Sequence, residues 1–324
     1  MKRVLVFVFL LACIHVSAQI TKVGDCKVSP DGKMIAFICY MGMQQDIFLY
    51  SLQRDTLIQL THSANLDFDA QYKKSLNWLD EHRILFLSKH NGLVQQYILD
   101  ILTNTLKTNG SSASHEYWLK YSGVNDEVYY ISSRRGSQPA VFRKKMNAEK
   151  EMKVSKGNIN CILSSISPNG EYLTYKEMPL GKTVLVSLKD NKIIKSKLPA
   201  KNTNVLAWAP SSEEFIYTHG TFVDDDVVKI ELVLYNIVTQ ISETIVKDAD
   251  YISGCIWAPS KDKYLYTLLK KSYLVDHKSK ETKEYDVFGS PKIWLRDEKS
   301  ILFVQDARAY IFNLSDKSIK RIIN

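Results

Sequence analysis

One stretch of sequence decides the fold of this chain: Val28-Ser29-Pro30-Asp31-Gly32-Lys33-Met34-Ile35-Ala36-Phe37. An apolar residue precedes a Pro-Asp-Gly turn, and a short apolar run that ends in an aromatic residue follows it. Pro presets one turn dihedral, and Gly adopts a positive φ without a steric penalty. The stretch therefore predicts two antiparallel strands joined by a tight turn.

The same pattern returns six more times along the chain. The residue before the turn is apolar or aromatic in every copy: Val28, Trp78, Tyr121, Ile166, Trp208, Trp257 and Trp294. Eight or nine residues later an aromatic residue follows in every copy: Phe37, Phe86, Tyr130, Tyr175, Tyr217, Tyr266 and Phe303. A third strand and a shorter fourth strand complete each copy, and four antiparallel strands every forty residues or so are typical of a propeller blade.

The repeat therefore predicts an all-β fold, a seven-bladed β-propeller of four-stranded antiparallel blades. We expect one domain over residues 19–324, with blades that begin near residues 24, 74, 117, 161, 204, 253 and 290. The two aromatic columns are expected to pack between blades, because a blade alone cannot bury both faces. The first copy begins at its innermost strand and the last ends at its outermost strand, so we expect closure without a swapped strand.

The first 18 residues have the features of a secretory signal peptide. Lys2 and Arg3 precede an apolar run, and Val16-Ser17-Ala18 fits the small-residue cleavage rule, so Gln19 would begin the mature chain. The alternative is a lipoprotein anchored at Cys13, because Leu10-Leu11-Ala12-Cys13 resembles a lipobox. No later stretch is long and apolar enough to span a bilayer. We therefore expect a periplasmic or secreted protein with no transmembrane segment in the mature chain.

Charge and cysteine content narrow the classes of partner. The formal net charge is +8, and loss of Lys2 and Arg3 with no acidic residue leaves 8 − 2 = +6. The basic residues are dispersed, so we expect no nucleic-acid partner. Cys26 and Cys39 flank one predicted hairpin and an exported protein can form disulfides, so their pairing stays open. We expect a monomer.

The motif Ser29-Pro30-Asp31-Gly32-Lys33, followed by Ile35-Ala36-Phe37 and Leu60-Thr61, resembles the WD40-like repeat of TolB-type propellers. The resemblance covers nearly all of the mature chain, most sharply in the first and fourth copies. It implies a choice of functions, because TolB-type propellers bind other proteins, oligogalacturonate lyases use a metal, and prolyl-oligopeptidase-like enzymes carry a non-catalytic propeller. Fold alone does not decide among them.

Catalytic motifs are missing from the sequence. It contains no G-x-S-x-G nucleophile elbow, no H-E-x-x-H and no phosphate-binding glycine motif. We therefore predict no cofactor, assign no catalytic or metal-ligating residue, and expect a non-catalytic scaffold that binds an envelope protein or peptide. The alternative is a carbohydrate-active enzyme similar to oligogalacturonate lyase, with a site at the mouth of the channel.

Candidate binding residues lie in loops expected on one face of the ring. His62, His90 and His115 border the second blade, and imidazoles gathered there could bind a metal or act as bases. The long first junction also holds Asp67, Phe68 and Asp69, which suit a peptide or a sugar. Arg134 and Arg135 could clamp carboxylates. A plain solvated loop is the competing interpretation for each of these groups, and for Asp224-Asp225-Asp226 as a calcium site.

Overall fold

In the part of the chain that the computed structural model describes, twenty-eight antiparallel strands form seven four-stranded sheets. The structure describes residues 19–62, 73–90, 92–110, 114–133, 138–223, 227–260 and 262–323. Each sheet consists of four strands consecutive in sequence, ordered from innermost to outermost. The seven-bladed propeller expected from the repeat is confirmed. Within these ranges, no helix is long and apolar enough to cross a membrane.

The strands of the first four blades follow the repeat in order. Blade 1 comprises β1 (Lys22–Val28), β2 (Met34–Met41), β3 (Gln44–Ser51) and β4 (Thr56–Gln59). Blade 2 comprises β5 (Lys73–Trp78), β6 (Arg83–His90), β7 (Leu93–Asp100) and β8 (Thr105–Thr108). Blade 3 comprises β9 (Glu116–Ser122), β10 (Glu127–Ser132), β11 (Ala140–Lys145) and β12 (Glu151–Lys153). Blade 4 comprises β13 (Cys161–Ile166), β14 (Tyr172–Glu177), β15 (Lys182–Ser187) and β16 (Lys192–Ile194).

The last three blades repeat the same order. Blade 5 comprises β17 (Thr203–Trp208), β18 (Glu214–Val223), β19 (Val227–Asn236) and β20 (Ser242–Ala249). Blade 6 comprises β21 (Ile252–Trp257), β22 (Lys263–Leu268), β23 (Lys271–Asp276) and β24 (Thr282–Tyr285). Blade 7 comprises β25 (Ser290–Trp294), β26 (Ser300–Gln305), β27 (Arg308–Asn313) and β28 (Ile319–Ile323).

The hydrophobic core is divided among the spaces between neighbouring blades. The described residues form seven buried clusters, and each joins side chains of two adjacent blades. The aromatic residue of the second strand is buried in every blade, and the residue before the turn packs in the same cluster. The two columns found in the sequence are therefore the inter-blade core, as expected.

Blades 7 and 1 close the ring without exchanging a strand. Their shared cluster contains Phe37 of β2 and Leu302 of β26, and the backbone N–H of Val23 donates to the carbonyl of Asp306 at 2.8 Å. Cys26 and Cys39 lie in this cluster as buried, unbonded thiols. Burial raises the pKa of Cys26 to about 12, so this thiol stays protonated at neutral pH.

The propeller has two distinct faces. The junction face carries the turns between second and third strands, such as Gly42–Met43, and the junctions between blades. The hairpin face carries the turns between first and second strands, such as Ser29–Lys33, and those between third and fourth strands. Every innermost strand has a register irregularity against its neighbour. Such bulges change the direction in which neighbouring side chains point.

Candidate functional site

Two of the histidines singled out from the sequence are fully described, and both lie on the junction face beside blade 2. His62 follows β4 and is exposed. His115 precedes β9, where its Nδ1 accepts a hydrogen bond from the Val94 N–H at 3.1 Å and its ring stacks on Tyr117. His90 ends β6, and its side chain is outside the described part. The joint site of His62, His90 and His115 therefore stays a prediction.

The remaining candidates from the sequence lie outside the described residues. They are Asp67, Phe68 and Asp69 in the first junction, Arg134 and Arg135 in blade 3, and Asp224-Asp225-Asp226 in blade 5. Their proposed roles in binding stay predictions as well.

The side chains that the structure describes do not assemble a metal-binding set. No group of three His, Cys, Asp or Glu residues comes together among them. His277 lies on the hairpin face, where its Nε2 is 3.0 Å from Glu214 Oε2 and its ring packs edge-on against Trp257. The described residues therefore do not fit the metal that the lyase resemblance implies.

A buried polar network fixes both ends of the first junction. Asp46 and Lys73 are almost fully buried, and Lys73 Nζ lies 3.4 Å from Asp46 Oδ1. Asp46 also accepts hydrogen bonds from Thr61 Oγ1 at 2.7 Å and Gln59 Nε2 at 3.2 Å. Burial lowers the pKa of Lys73, and the charge of Asp46 opposes that shift. The network holds the end of β4 and the start of β5 together.

A cleft on the junction face brings three exposed apolar side chains together. We call it the blade 6–7 cleft, and it is lined by Tyr251, Leu269, Phe288, Lys22, Lys292 and Asp306, with a volume of about 580 Å³. Tyr251 is 57% exposed, Leu269 is 59% exposed and Phe288 is 42% exposed. Exposed large apolar residues on the hairpin face, such as Leu102, Val124 and Val238, belong to three different blades. Tyr251, Leu269 and Phe288 differ from these scattered residues because all three line one cleft.

Leu269 occupies a backbone conformation that disfavours leucine. It sits with Lys270 in the two-residue turn between β22 and β23, at a φ of 54°. Tight hairpin turns normally place Asn, Asp or Gly at positive φ. A bulky residue there costs roughly 1–2 kcal/mol. An exposed, strained leucine contributes little to folding, so this position is a candidate for binding.

The floor of the cleft is a rigid junction between blades 6 and 7. Ser253 Oγ donates to the Gly289 carbonyl at 2.9 Å, and Ser290 Oγ donates to the Ser253 carbonyl at 2.9 Å. The Tyr310 hydroxyl donates to the Phe288 carbonyl, and burial raises the pKa of Tyr310 to about 12, which keeps the hydroxyl protonated. Gly289 has a φ of 114°, and a Cβ there would lie 3.1 Å from the Val304 carbonyl oxygen. Glycine is therefore required at this position.

The described residues around the cleft carry more positive than negative charge. Lys22 and Lys292 are exposed at its edge, whereas Asp306 is the acidic residue among the described residues that line it. Lys22 Nζ lies 5.5 Å from the centre of the Tyr40 ring, which orders the end of a long side chain. The cleft thus combines apolar anchors with excess positive charge.

Sequence reasoning missed Tyr251, Leu269 and Phe288. The three residues come from two junctions and one turn, and only the closed ring brings them together. One signal was present in the sequence: Leu268-Leu269-Lys270-Lys271 places an apolar residue where a hairpin turn normally has Asn or Gly.

The fold and the cleft define a class, a seven-bladed propeller whose junction face carries a cleft with exposed apolar side chains. The sequence model of the family described as TolB beta propeller domain matches residues 6–212. The chain therefore belongs to the TolB beta propeller domain family. No curated protein sequence matches it.

Solved structures show the same fold at low sequence identity. An oligogalacturonate lyase in complex with manganese superposes with a TM-score of 0.67 and 13% identity, over 90% of this chain and 90% of that chain. A protein assigned as TolB from Agrobacterium tumefaciens has a TM-score of 0.54 and 12% identity, over 87% of this chain and 89% of that chain. A prolyl endopeptidase has a TM-score of 0.63 and 11% identity, over 94% of this chain but 50% of that chain.

Proposed function

We propose that the mature chain is an exported, non-catalytic scaffold that binds a segment of another envelope protein in the blade 6–7 cleft. The observation that carries the proposal is the convergence of Tyr251, Leu269 and Phe288, with Leu269 held in a strained turn. Apolar and aromatic side chains that converge in a pocket are the usual anchors of protein interfaces. Membership in the TolB beta propeller domain family supports the same class of function.

The chemistry of the cleft indicates which segment would bind. Apolar side chains of the partner would contact Leu269 and Phe288, and carboxylates beside them would approach Lys22 and Lys292. Complementary charge speeds association and selects partners more than it adds affinity. The partner is therefore an acidic segment with exposed apolar residues, and its association slows as salt concentration rises.

Variants of the cleft test this function. The mature chain is immobilised, and envelope proteins that it retains are purified and titrated against it by calorimetry. Leu269→Asn and Phe288→Ser each weaken the affinity at least tenfold, because each removes an apolar anchor. Leu102→Asn, which changes an equally exposed leucine on the hairpin face, leaves the affinity unchanged. Equal affinity of all four proteins would place the interface elsewhere and refute the proposal.

We infer that residues 1–18 are removed during export to the periplasm or the exterior. The positive, apolar and small-residue regions of this segment support cleavage before Gln19. Intact mass of the protein purified from its own envelope should equal that of residues 19–324. A mass that includes a lipid on Cys13 would instead establish the lipoprotein alternative.

A carbohydrate-active enzyme is the alternative function, and the fold shared with the manganese-bound oligogalacturonate lyase favours it. Incubation with oligogalacturonates and Mn²⁺ separates the two functions, because a lyase releases unsaturated uronates that absorb ultraviolet light. The scaffold releases none. Steady release that is lost in His62→Ala and His115→Ala would overturn the scaffold proposal.

A further inference from the structure

Basic residues that look dispersed along the sequence gather on one side of the folded ring. Residues 143–201, which form the outer strands of blade 3 and all of blade 4, contain thirteen lysines and arginines against five aspartates and glutamates. The rest of residues 19–324 has two more acidic than basic residues. The excess positive charge therefore comes from this segment, and such an asymmetry indicates an anionic partner.

The densest part of this charge lies at the outer edge of blade 4. The strand β16 is the outermost of its sheet, and four exposed lysines lie in it or beside it: Lys189, Lys192, Lys195 and Lys197. Asp190 is the acidic residue within this stretch. We call residues 189–197 the blade 4 flank.

The lysines of the flank lack the ion pairs that lysines of other blades make. In blade 6, Lys263 Nζ lies 3.6 Å from Asp276 Oδ2, and Lys280 Nζ lies 2.8 Å from Glu243 Oε2. Among the residues that the structure describes, no carboxylate forms an ion pair with any of the four flank ammonium groups. Their charge is therefore available to a ligand.

Hydrogen bonds hold the backbone of the flank against blade 5. Gln240, in the turn between β19 and β20, donates from its Nε2 to the Lys195 carbonyl at 3.1 Å. The Lys197 N–H donates to the hydroxyl of Tyr235, which is fully buried, at 3.3 Å. The flank and the blade 5 turn therefore form one continuous surface, and the lysines project from a fixed backbone.

Exposed apolar side chains accompany the charge on this surface. Ile193 of β16 is 41% exposed, and Val238 and Ile241, which flank Gln240 in the blade 5 turn, are 68% and 65% exposed. A soluble polyanion would contact the lysines but leave these apolar side chains in water. An anionic bilayer offers phosphates to the lysines and an acyl boundary to the apolar side chains.

Protection of the strand edge does not account for this arrangement. Lysine on an outermost strand discourages pairing with another sheet, and Lys192 at the start of β16 serves that purpose. Lys189 lies in the turn before the strand, however, and Lys195 and Lys197 lie in the junction after it. Most of the charge is therefore placed where no strand edge has to be protected.

We propose that the blade 4 flank binds the surface of a bilayer that contains anionic phospholipid, with its four lysines at the headgroup phosphates and with Ile193, Val238 and Ile241 at the acyl boundary. The described residues that line the blade 6–7 cleft belong to blades 1, 6 and 7 and their junctions, so the proposal does not rest on the scaffold function. Docking through blade 4 would hold the protein at a membrane while the cleft receives a partner.

Co-sedimentation of the mature chain with lipid vesicles tests the proposal. Vesicles of equimolar phosphatidylcholine and phosphatidylglycerol should bind the protein at least tenfold more tightly than vesicles of phosphatidylcholine alone, because each lysine near an anionic surface adds to the affinity. Added salt should weaken the binding, because it screens this attraction. Equal binding to both kinds of vesicle, or binding to neither, would overturn the proposal.

Two triple variants of equal net charge separate the flank from the charge of the whole protein. Lys192→Gln/Lys195→Gln/Lys197→Gln should weaken binding to the anionic vesicles at least tenfold. The matched variant Lys107→Gln/Lys247→Gln/Lys317→Gln changes exposed lysines of blades 2, 5 and 7 and should bind as the wild type does. Both variants should keep the melting temperature of the wild type, because all six lysines are exposed. An equal loss of binding in the two variants would refute a role for the flank.

A third comparison tests the apolar contacts. Val238→Ser should weaken vesicle binding by roughly three- to tenfold, whereas Leu102→Ser should not. The two positions are matched, because Leu102 is 70% exposed in the equivalent turn of blade 2 and the N–H groups of both residues donate to the side chain two positions earlier.

Soluble polyglutamate distinguishes a bilayer from an acidic polymer. If polyglutamate binds the wild type as tightly as the anionic vesicles do and Val238→Ser binds vesicles normally, the flank recognises charge alone, and the bilayer proposal is wrong. Leu269→Asn should bind the vesicles as the wild type does, so failure of the partner-binding cleft and failure of membrane docking are separate results.

Discussion

At the residue scale, the buried pair of Asp46 and Lys73 shows how charge is used to hold blade 1 against blade 2. Two buried charges are tolerated because each has further polar partners: Thr61 and Gln59 donate to Asp46, and Lys73 Nζ donates to the Gln45 carbonyl at 2.9 Å. Removal of one member would leave the other charge buried without compensation.

Asp46→Asn should therefore lower the free energy of unfolding by about 3–5 kcal/mol, measured by urea denaturation. The double variant Asp46→Asn/Lys73→Met should recover most of this loss, because the uncompensated ammonium is gone. Glu284→Gln breaks the exposed ion pair with Lys271 and serves as the control, with a much smaller loss because water screens this pair. Similar losses in the buried and exposed pairs would contradict this account of the network.

Lys120 gives stability a defined dependence on pH. Burial and the charge of Lys27 lower its pKa from 10.5 in the folded state, while Asp25 opposes the shift. Neighbouring β5 adds Lys73, which is paired with Asp46, and Lys74, and β13 on the other side has no charged residue. Above the folded pKa the unfolded chain binds more protons, so the contribution of Lys120 to stability rises with pH.

Lys120→Met should accordingly be more stable than the wild type at pH 7, and this difference should shrink as the pH rises towards 10.5. Urea denaturation of both proteins from pH 7 to pH 10 measures this difference. The buried tyrosines also titrate at high pH, but they are the same in both proteins, so their contribution cancels. Lys107→Met changes an exposed lysine of β8 and serves as the control. Its difference in unfolding free energy from the wild type should not change over the same pH range. If the difference in unfolding free energy between Lys120→Met and the wild type widens as the pH rises, the pKa of Lys120 is not lowered in the folded state.

At the element scale, Leu269 in the turn between β22 and β23 lowers the stability of the fold but supplies an exposed apolar side chain for the proposed binding. Leu269→Asn should raise the free energy of unfolding by about 0.5–1 kcal/mol, because Asn tolerates positive φ and the leucine is largely exposed. Leu102→Asn, at a turn residue without a positive φ, should change stability little. Destabilisation by Leu269→Asn would show that this leucine packs into the fold.

The elements were also the most predictable level of the structure. Pro-Asp-Gly turns and aromatic pairs specify hairpins locally, so the repeat alone predicted seven four-stranded blades, and Trp78 and Phe86 occupy the inter-blade core as expected. The blade 6–7 cleft was not predictable in this way, because Tyr251, Leu269 and Phe288 meet only through the geometry of the closed ring. The register irregularities of the innermost strands were not predictable either, because no sequence pattern marks them.

At the scale of the whole molecule, closure joins the seven blades into a ring with two distinct faces. Among the described residues, seven clusters between neighbouring blades share the core, and the cluster between blades 7 and 1 completes the circle. Such a scaffold carries loops and cavities without rearranging when they change. The blade 6–7 cleft opens on the junction face of this ring.

Hydrogen exchange of the mature chain, free and in complex with its captured partner, tests the central claim most directly. The account predicts slower exchange in the complex at residues 250–254, 268–271 and 286–290, which frame the blade 6–7 cleft. The hairpin-face turns at residues 29–33 and 101–104 should exchange at the same rate in both states. Protection confined to the hairpin face, or spread evenly over both faces, would contradict a binding site at the cleft.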